Sequence, residues 1–295
     1  MSDPVSDFSW TGPPPPPLPR PSAWGVIAAW ARLVLAALTT AVLLSIYLLF
    51  KAVERVVPAF RARERVQRLW ARTMGKLVGL SVRTTGEPMP HGGALVANHS
   101  SWSDIFVLVG AARMTFVSKA EVRAWPVVGW IAAVCGTVFV ERKRSAARAQ
   151  EEELRRRMLA GERLLFFPEG TSTDNRRVLQ FRSTLFAALT AEELRDVAWV
   201  QPVSVVYHVN PASTLPDTFY GWWADMDFGP HVWSLLTLSF GGEAEVIFHD
   251  PIRVADMPDR KKLAQASWQA VHDGVVSRLP HHRHGHEDIY RDREL

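Results

Sequence analysis

A single cysteine in 295 residues, Cys135, excludes an internal disulfide and argues for a reducing compartment. The chain also lacks a Gly-x-x-x-x-Gly-Lys phosphate loop, a Gly-x-Gly-x-x-Gly fingerprint and a Gly-x-Ser-x-Gly elbow. Nucleotide-driven phosphoryl transfer, nicotinamide chemistry and elbow-type serine hydrolysis therefore lose their usual signals. A dominant charge is missing as well. The 34 basic and 30 acidic residues leave +4, which suits an anionic membrane, a phosphorylated substrate or nucleic acid alike. Long apolar runs are scarce, so a polytopic transporter is not expected, and 47% hydrophobic residues argue against disorder. What is abundant is tryptophan, 12 copies, placed near apolar stretches as in interfacial anchoring or core packing.

Four regions follow from patterning. Residues 1–22, with the run Pro13 to Pro17, read as an extended proline-rich tail. Residues 23–79 read as a membrane anchor followed by an amphipathic helix. Leu33 to Phe50 is apolar without interruption, just long enough to span a bilayer or to embed deeply in it. Lys51, Arg55, Arg61, Arg63, Arg65 and Arg68 follow it, against Arg20 and Arg32 before it. That asymmetry places the rest of the chain on the cytoplasmic side, in bacterial terms at the inner membrane. From Pro58 to Gly79, Val66, Leu69, Trp70, Thr73 and Leu77 share one face of a basic helix that either lies on anionic lipid or packs on the domain.

Residues 80–280 alternate short β-branched runs with helical stretches. The runs are 81–85, 94–97, 114–117, 137–140, 164–167, 200–207 and 244–249. They predict an α/β domain with a mixed sheet of about seven strands flanked by helices. A helix is expected from Ser145 to Gly161 as N-cap and C′ residue, and another after Pro258. Residues 281–295 form a charged tail with His281, His282, His284 and His286. Without a neighbouring cysteine or a clear fold this reads as a solvated tail rather than a metal site, and no metal or cofactor is expected. His208, His231 and His249 read as structural, with His231 able to face lipid.

Three stretches carry chemistry. In Ala94–Asp104 (ALVANHSSWSD) an apolar strand ends at Asn98, and Ser100 or Ser101 can cap a helix starting at Trp102. At such a turn Asp104 can reach back to His99, orient one ring nitrogen as donor and leave the other as a general base. In Leu164–Thr173 (LLFFPEGTST) a strand ends in a tight turn through Glu169, Gly170 and Thr171. Ligands commonly bind there in open α/β sheets. In Lys119–Arg142, Arg142 with Lys143 and Arg144 can hold an anion or be a solvated cluster.

Taken together and in order, NHSSWSD, GTVFVER, FPEGTS and VQPVSV resemble the motif blocks of the glycerolipid acyltransferase family, over roughly 81–252. The resemblance implies transfer from acyl-CoA or acyl-carrier protein to a lysolipid hydroxyl, with membrane lipid and bilayer as partners and no nucleic acid. His99 and Asp104 would be catalytic, and Lys119, Arg142, Glu169, Gly170, Thr171 and Ser172 would bind substrate. The family default acceptor is 1-acylglycerol-3-phosphate. One residue departs from it: the family usually has arginine after Glu-Gly-Thr, where this chain has Ser172. A hydroxyl lacks the bidentate phosphate grip of a guanidinium, although Arg176, Arg177 or Arg182 can approach from the same loop. FPEGTSTDNRRVLQFRSTLF and YGWWADMDFGPHVW also look like the lyso-ornithine-lipid acyltransferase branch, whose acceptor head group lacks phosphate. A non-catalytic membrane protein on the same fold is the reading of another class, opposed by the intact motifs.

Overall fold

The computed structural model describes residues 14–57, 62–126, 128–141 and 144–279, with only the backbone described for 144–147. Its helices are α1 (Ala23–Val56), α2 (Arg63–Leu77), α3 (Asp104–Ala111), α4 (Val128–Val134), α5 (Arg144–Leu159), α6 (Glu192–Arg195), α7 (Phe228–Leu238) and α8 (Arg260–Val276). Its strands are β1 (Leu80–Thr85), β2 (Gly93–Ala97), β3 (Thr115–Lys119), β4 (Val138–Val140), β5 (Arg163–Phe166), β6 (Trp199–His208), β7 (Gly242–Phe248) and β8 (Ile252–Arg253). All seven expected strands form. The eighth, β8, is two residues long, too short to leave a periodic signal.

The sheet runs β1-β7-β6-β2-β5-β3-β4, with β8 pairing β6 beside β7. Pairs from β6 through β4 are parallel, whereas β7 and β8 lie antiparallel to β6. Pro202 sits in this central strand where β6 leaves β8 at Val200 and joins β7 at Val203. Its missing N–H therefore falls where no antiparallel partner needs it. Alternation along the strands builds two cores. Ala94, Val96, Leu164 and Phe166 face α5 and α8, while Leu95, Ala97, Leu165 and Val205 face α3 and α7. Because β2, β3, β4, β5 and β6 are parallel, all of their carboxyl ends reach one edge of the sheet.

Helix α1 contains the expected apolar run and extends it to 34 residues, about 51 Å. It is long and apolar enough to cross a membrane, and it is not freestanding. Gly25 abuts the Thr237 carbonyl, Ala29 is buried, and Thr40 Oγ1 accepts from Trp70 Nε1 at 2.9 Å. At the far end Lys51 Nζ donates to the Val134 carbonyl at 2.7 Å. The opposite face leaves Trp24, Ile27, Leu35, Leu38, Val42 and Leu49 exposed. Helix α2 buries Val66, Ala71 and Met74 against its neighbours and exposes Leu69. The helix packs on the domain through that side, and Leu69 of the expected apolar face stays outside the contact.

Candidate active site

His99 and Asp104 meet at the carboxyl end of β2. His99 Nδ1 lies 2.6 Å from Asp104 Oδ2. A carboxylate only accepts, so Nδ1 carries the proton and Nε2 keeps its lone pair. The same Oδ2 accepts from the backbone N–H of Ser100 at 2.9 Å and of Ser101 at 3.1 Å. Helix α3 accordingly starts at Asp104, not at Trp102, with Ser103 as its N-cap residue, and Ser101 Oγ accepts from the Ser103 N–H at 3.4 Å just ahead of the helix. The cap arrangement expected from the sequence is reversed: the carboxylate in the first turn gathers the amides of the turn before it.

The other carboxylate oxygen is also committed. Tyr207 Oη donates to Asp104 Oδ1 at 2.6 Å and accepts from Ser103 Oγ at 3.0 Å. Burial, followed by the charge of Asp104, pushes the Tyr207 phenol well above its ordinary value, so it stays a donor. Asp104 is fully buried with four donors around its two oxygens, while the His99 side chain keeps 22% of its surface. Phe167 stacks on the imidazole at 4.2 Å between ring centres, fixing its plane.

Glu169, expected to bind substrate, points inward. It is only 2% exposed, and its oxygens accept from the backbone N–H of His99 at 2.7 Å and of Leu179 at 2.8 Å. Burial raises its carboxyl well above the usual range against the pull of those two donors. Its place is to fasten the His99 turn to the loop after β5. Thr173 reinforces this, its N–H donating to the His99 carbonyl at 2.8 Å. Gly170 has φ +77°, a left-handed conformation that favours glycine. A Cβ there would also stand 3.1 Å from Arg182 Nε.

Thr171 and Ser172 are half-buried in the turn that follows. Of the three arginines that could serve in place of one at Ser172, Arg176 pairs with Asp217 and Arg177 with Asp174. Arg182 lies against the Glu169–Gly170 turn, its Nε donating to the Glu169 carbonyl at 3.4 Å. Lys119 is exposed at the end of β3, two strands from β2. Arg142 and the C-terminal histidines lie outside the described residues.

Several participants escaped sequence reasoning. Asn98 holds β6 through both amide atoms, bonding the Val205 carbonyl and N–H at 2.8 Å each. Asn175, with φ +66°, does the same to Tyr207. The tryptophan-rich segment folds over the site: Trp222 N–H donates to the Ser100 carbonyl, and Trp102 Nε1 donates to His231 Nδ1 at 2.8 Å. His231 is buried rather than facing lipid, and burial pushes it down to about 4. Phe228 gathers Trp102, Trp125 and Trp222 around itself at 5.4 to 5.9 Å, an aromatic collar beside His99. Only the composition of YGWWADMDFGPHVW hinted at it.

Comparisons with known proteins agree with this geometry. Residues 81–206 match the family model described as Acyltransferase. A lyso-ornithine lipid O-acyltransferase of Rhodobacter capsulatus is 48% identical over 202 residues, covering 68% of this chain and 72% of that one. A 1-acyl-sn-glycerol-3-phosphate acyltransferase of Neisseria gonorrhoeae is 34% identical over 114 residues, or 37% and 43% of the two chains. In fold the chain matches the 1-acyl-sn-glycerophosphate acyltransferase structure from Thermotoga maritima, with TM-score 0.51 and 22% identity. That match covers 84% of this chain and 97% of the other.

Proposed function

This chain belongs to the acyltransferase family, and from that membership we propose that it acylates the hydroxyl of lyso-ornithine lipid with a fatty acyl group carried as a thioester. The reaction rests on one observation, the 2.6 Å His99–Asp104 bond that leaves Nε2 of a partly exposed imidazole as the base. Nε2 takes the acceptor's hydroxyl proton while that oxygen attacks the thioester carbonyl. Asp104 stabilises the imidazolium so formed. The tetrahedral intermediate collapses with loss of the thiolate, which recovers the proton from Nε2. Backbone amides of Thr171 and Ser172, beside the left-handed Gly170, are the donors assigned to the oxyanion. Acyl-carrier protein and acyl-CoA both satisfy this chemistry as donor.

Lyso-ornithine lipid, rather than the family-default 1-acylglycerol-3-phosphate, is the acceptor that the comparisons favour. The Rhodobacter relative is more similar over more of its length than the Neisseria one. Ser172 removes the phosphate grip, and Arg182 beside Gly170 supplies a cation suited to a carboxylate head group. Docking of α1 along its length supports an in-plane anchor, with the exposed apolar face in one leaflet of the inner membrane and the domain in the cytoplasm.

The test is a pair of variants in purified membranes. His99→Ala is expected to lower acyl transfer by at least about 1,000-fold, and near-normal turnover would refute the mechanism. Arg182→Gln is expected to raise KM for lyso-ornithine lipid about tenfold with little change in kcat. An unchanged KM would remove Arg182 from acceptor binding.

A further inference from the structure

At the end of the sheet opposite His99 lies a cavity of about 180 Å³ walled by α1, α2, α5, the ends of α3 and α4 and the starts of β3 and β5. Arg163, which opens β5, is four residues and about 13 Å from Phe167, the residue stacked on His99. Six cations line the cavity: Lys51, Arg63, Arg68, Arg113, Arg157 and Arg163. Only two acids, Glu64 and Glu162, accompany them. Both are engaged already, Glu64 by Arg113 at 2.7 Å and Glu162 by Arg157 at 3.4 Å. Among the described residues, neither Arg68 nor Arg163 has a carboxylate partner. Arg163, half-buried, is held below its ordinary value first by burial and then by the like charges of Arg113 and Arg68. Arg63 is paired with Glu54 at 2.9 Å and Arg157 also with Glu153 at 2.7 Å, which leaves Arg68 and Arg163 as the guanidinium groups on this cavity that an anion can neutralise.

Beside the cavity lies a small apolar slot of about 30 Å³. Thr40, Leu43, Leu44, Val66, Trp70 and Ile131 line it, and Tyr47, Gln67 and Cys135 belong to both walls. Around it the surface is apolar and exposed, with Leu48 and Leu49 on α1 and Trp130 on α4. A basic chamber next to an apolar slot, opening beside the face that meets the bilayer, has the charge and polarity of an anionic amphiphile.

We propose that this chamber binds the phosphate head group of an anionic membrane phospholipid, with part of one acyl chain in the slot between α1, α2 and α4. The lipid would pin the α1–α2 anchor to the β3–β5 edge, and it is distinct from the acceptor consumed at His99. A free phosphate shares the head-group chemistry and lacks the chain.

Cys135 stands where chamber and slot meet and is the chain's one cysteine, so alkylation reports on this site alone. Burial pushes its thiol up to about 11, which keeps the background reaction slow. N-ethylmaleimide labelling of the full-length protein is followed in phosphatidylcholine vesicles, in the same vesicles with phosphatidylglycerol, and in the first kind with inorganic phosphate. Phosphatidylglycerol is expected to slow labelling about tenfold, as for a site nine-tenths occupied, and inorganic phosphate is not. Arg68→Gln, and independently Arg113→Gln, should abolish most of that protection, whereas Arg260→Gln on the far face should keep it. Equal rates in the two vesicle types overturn the proposal. So does protection by phosphate alone, which would make the site one for a free ion, or loss of protection in Arg260→Gln, which would reduce it to general surface charge.

Discussion

At the scale of single residues, the oxygens of Asp104 connect sequence to chemistry. Tyr207 donates to one of them and His99 bonds the other. Removing the phenol in Tyr207→Phe leaves Asp104 Oδ1 buried without that donor, at a cost of about 1–3 kcal/mol. With one of its holds gone the carboxylate fixes the imidazole less firmly, and kcat is expected to fall about tenfold with KM little changed. An unchanged kcat while stability falls would make Tyr207 a packing residue only. His231 gives a pH effect. Its folded value of about 4 lies below the ordinary 6.5, so the unfolded chain binds more protons between the two. The stability it confers is complete above pH 6.5 and is lost as pH falls toward 4. Urea unfolding in detergent should show about 2 kcal/mol of this loss between pH 7 and pH 5, and His231→Gln should remove it. The His99–Asp104 pair was legible in the sequence because five residues and one turn contain it. Tyr207 was not, since 103 residues separate it from Asp104 and only the β2–β6 pairing joins them. Glu169 was legible as a site residue but not in its direction, because a motif does not say which way a carboxylate faces.

At the scale of elements, the β-branched runs fixed strand positions, and Gly161, with φ +80°, ends the α5 turn as its place in the sequence indicated. The order of the strands could not be read this way: β1 pairs with β7 across more than 150 residues, and local patterning carries no information on such pairs. The α1–α7 junction was equally hidden. Arg32 donates through one guanidinium nitrogen to the Leu236 and Ser239 carbonyls at 2.8 and 3.0 Å and lies over the Phe240 ring. It thus satisfies carbonyls that α7 leaves open at its end, although just ahead of the apolar run it looked like a flanking charge. Arg32→Ala is expected to cost about 1–3 kcal/mol and to speed amide exchange at the α7 end. Unchanged exchange there would mean that Trp30 edge-on to Trp233, not Arg32, holds the junction.

At the scale of the molecule, a parallel sheet edge collects the His99–Asp104 turn, the Glu169–Thr173 loop and the aromatic collar, while α1 lies along one side with its outer face apolar. Deleting residues through Arg55 removes that face and is expected to release the protein from membranes in a sedimentation assay. Continued tight binding would transfer anchoring to α2 and the collar. The long apolar helix was plain from composition; its attachment along the domain was not, because periodicity cannot distinguish lipid from protein as the neighbour of an alanine or glycine. Which hydroxyl receives the acyl group is decided most directly by one competition assay. The purified full-length enzyme is offered equal amounts of lyso-ornithine lipid and lysophosphatidic acid with one labelled acyl thioester, and the products are separated. Labelled ornithine lipid, in excess of phosphatidic acid by at least about tenfold, is the expected result. Phosphatidic acid as the main product would contradict it.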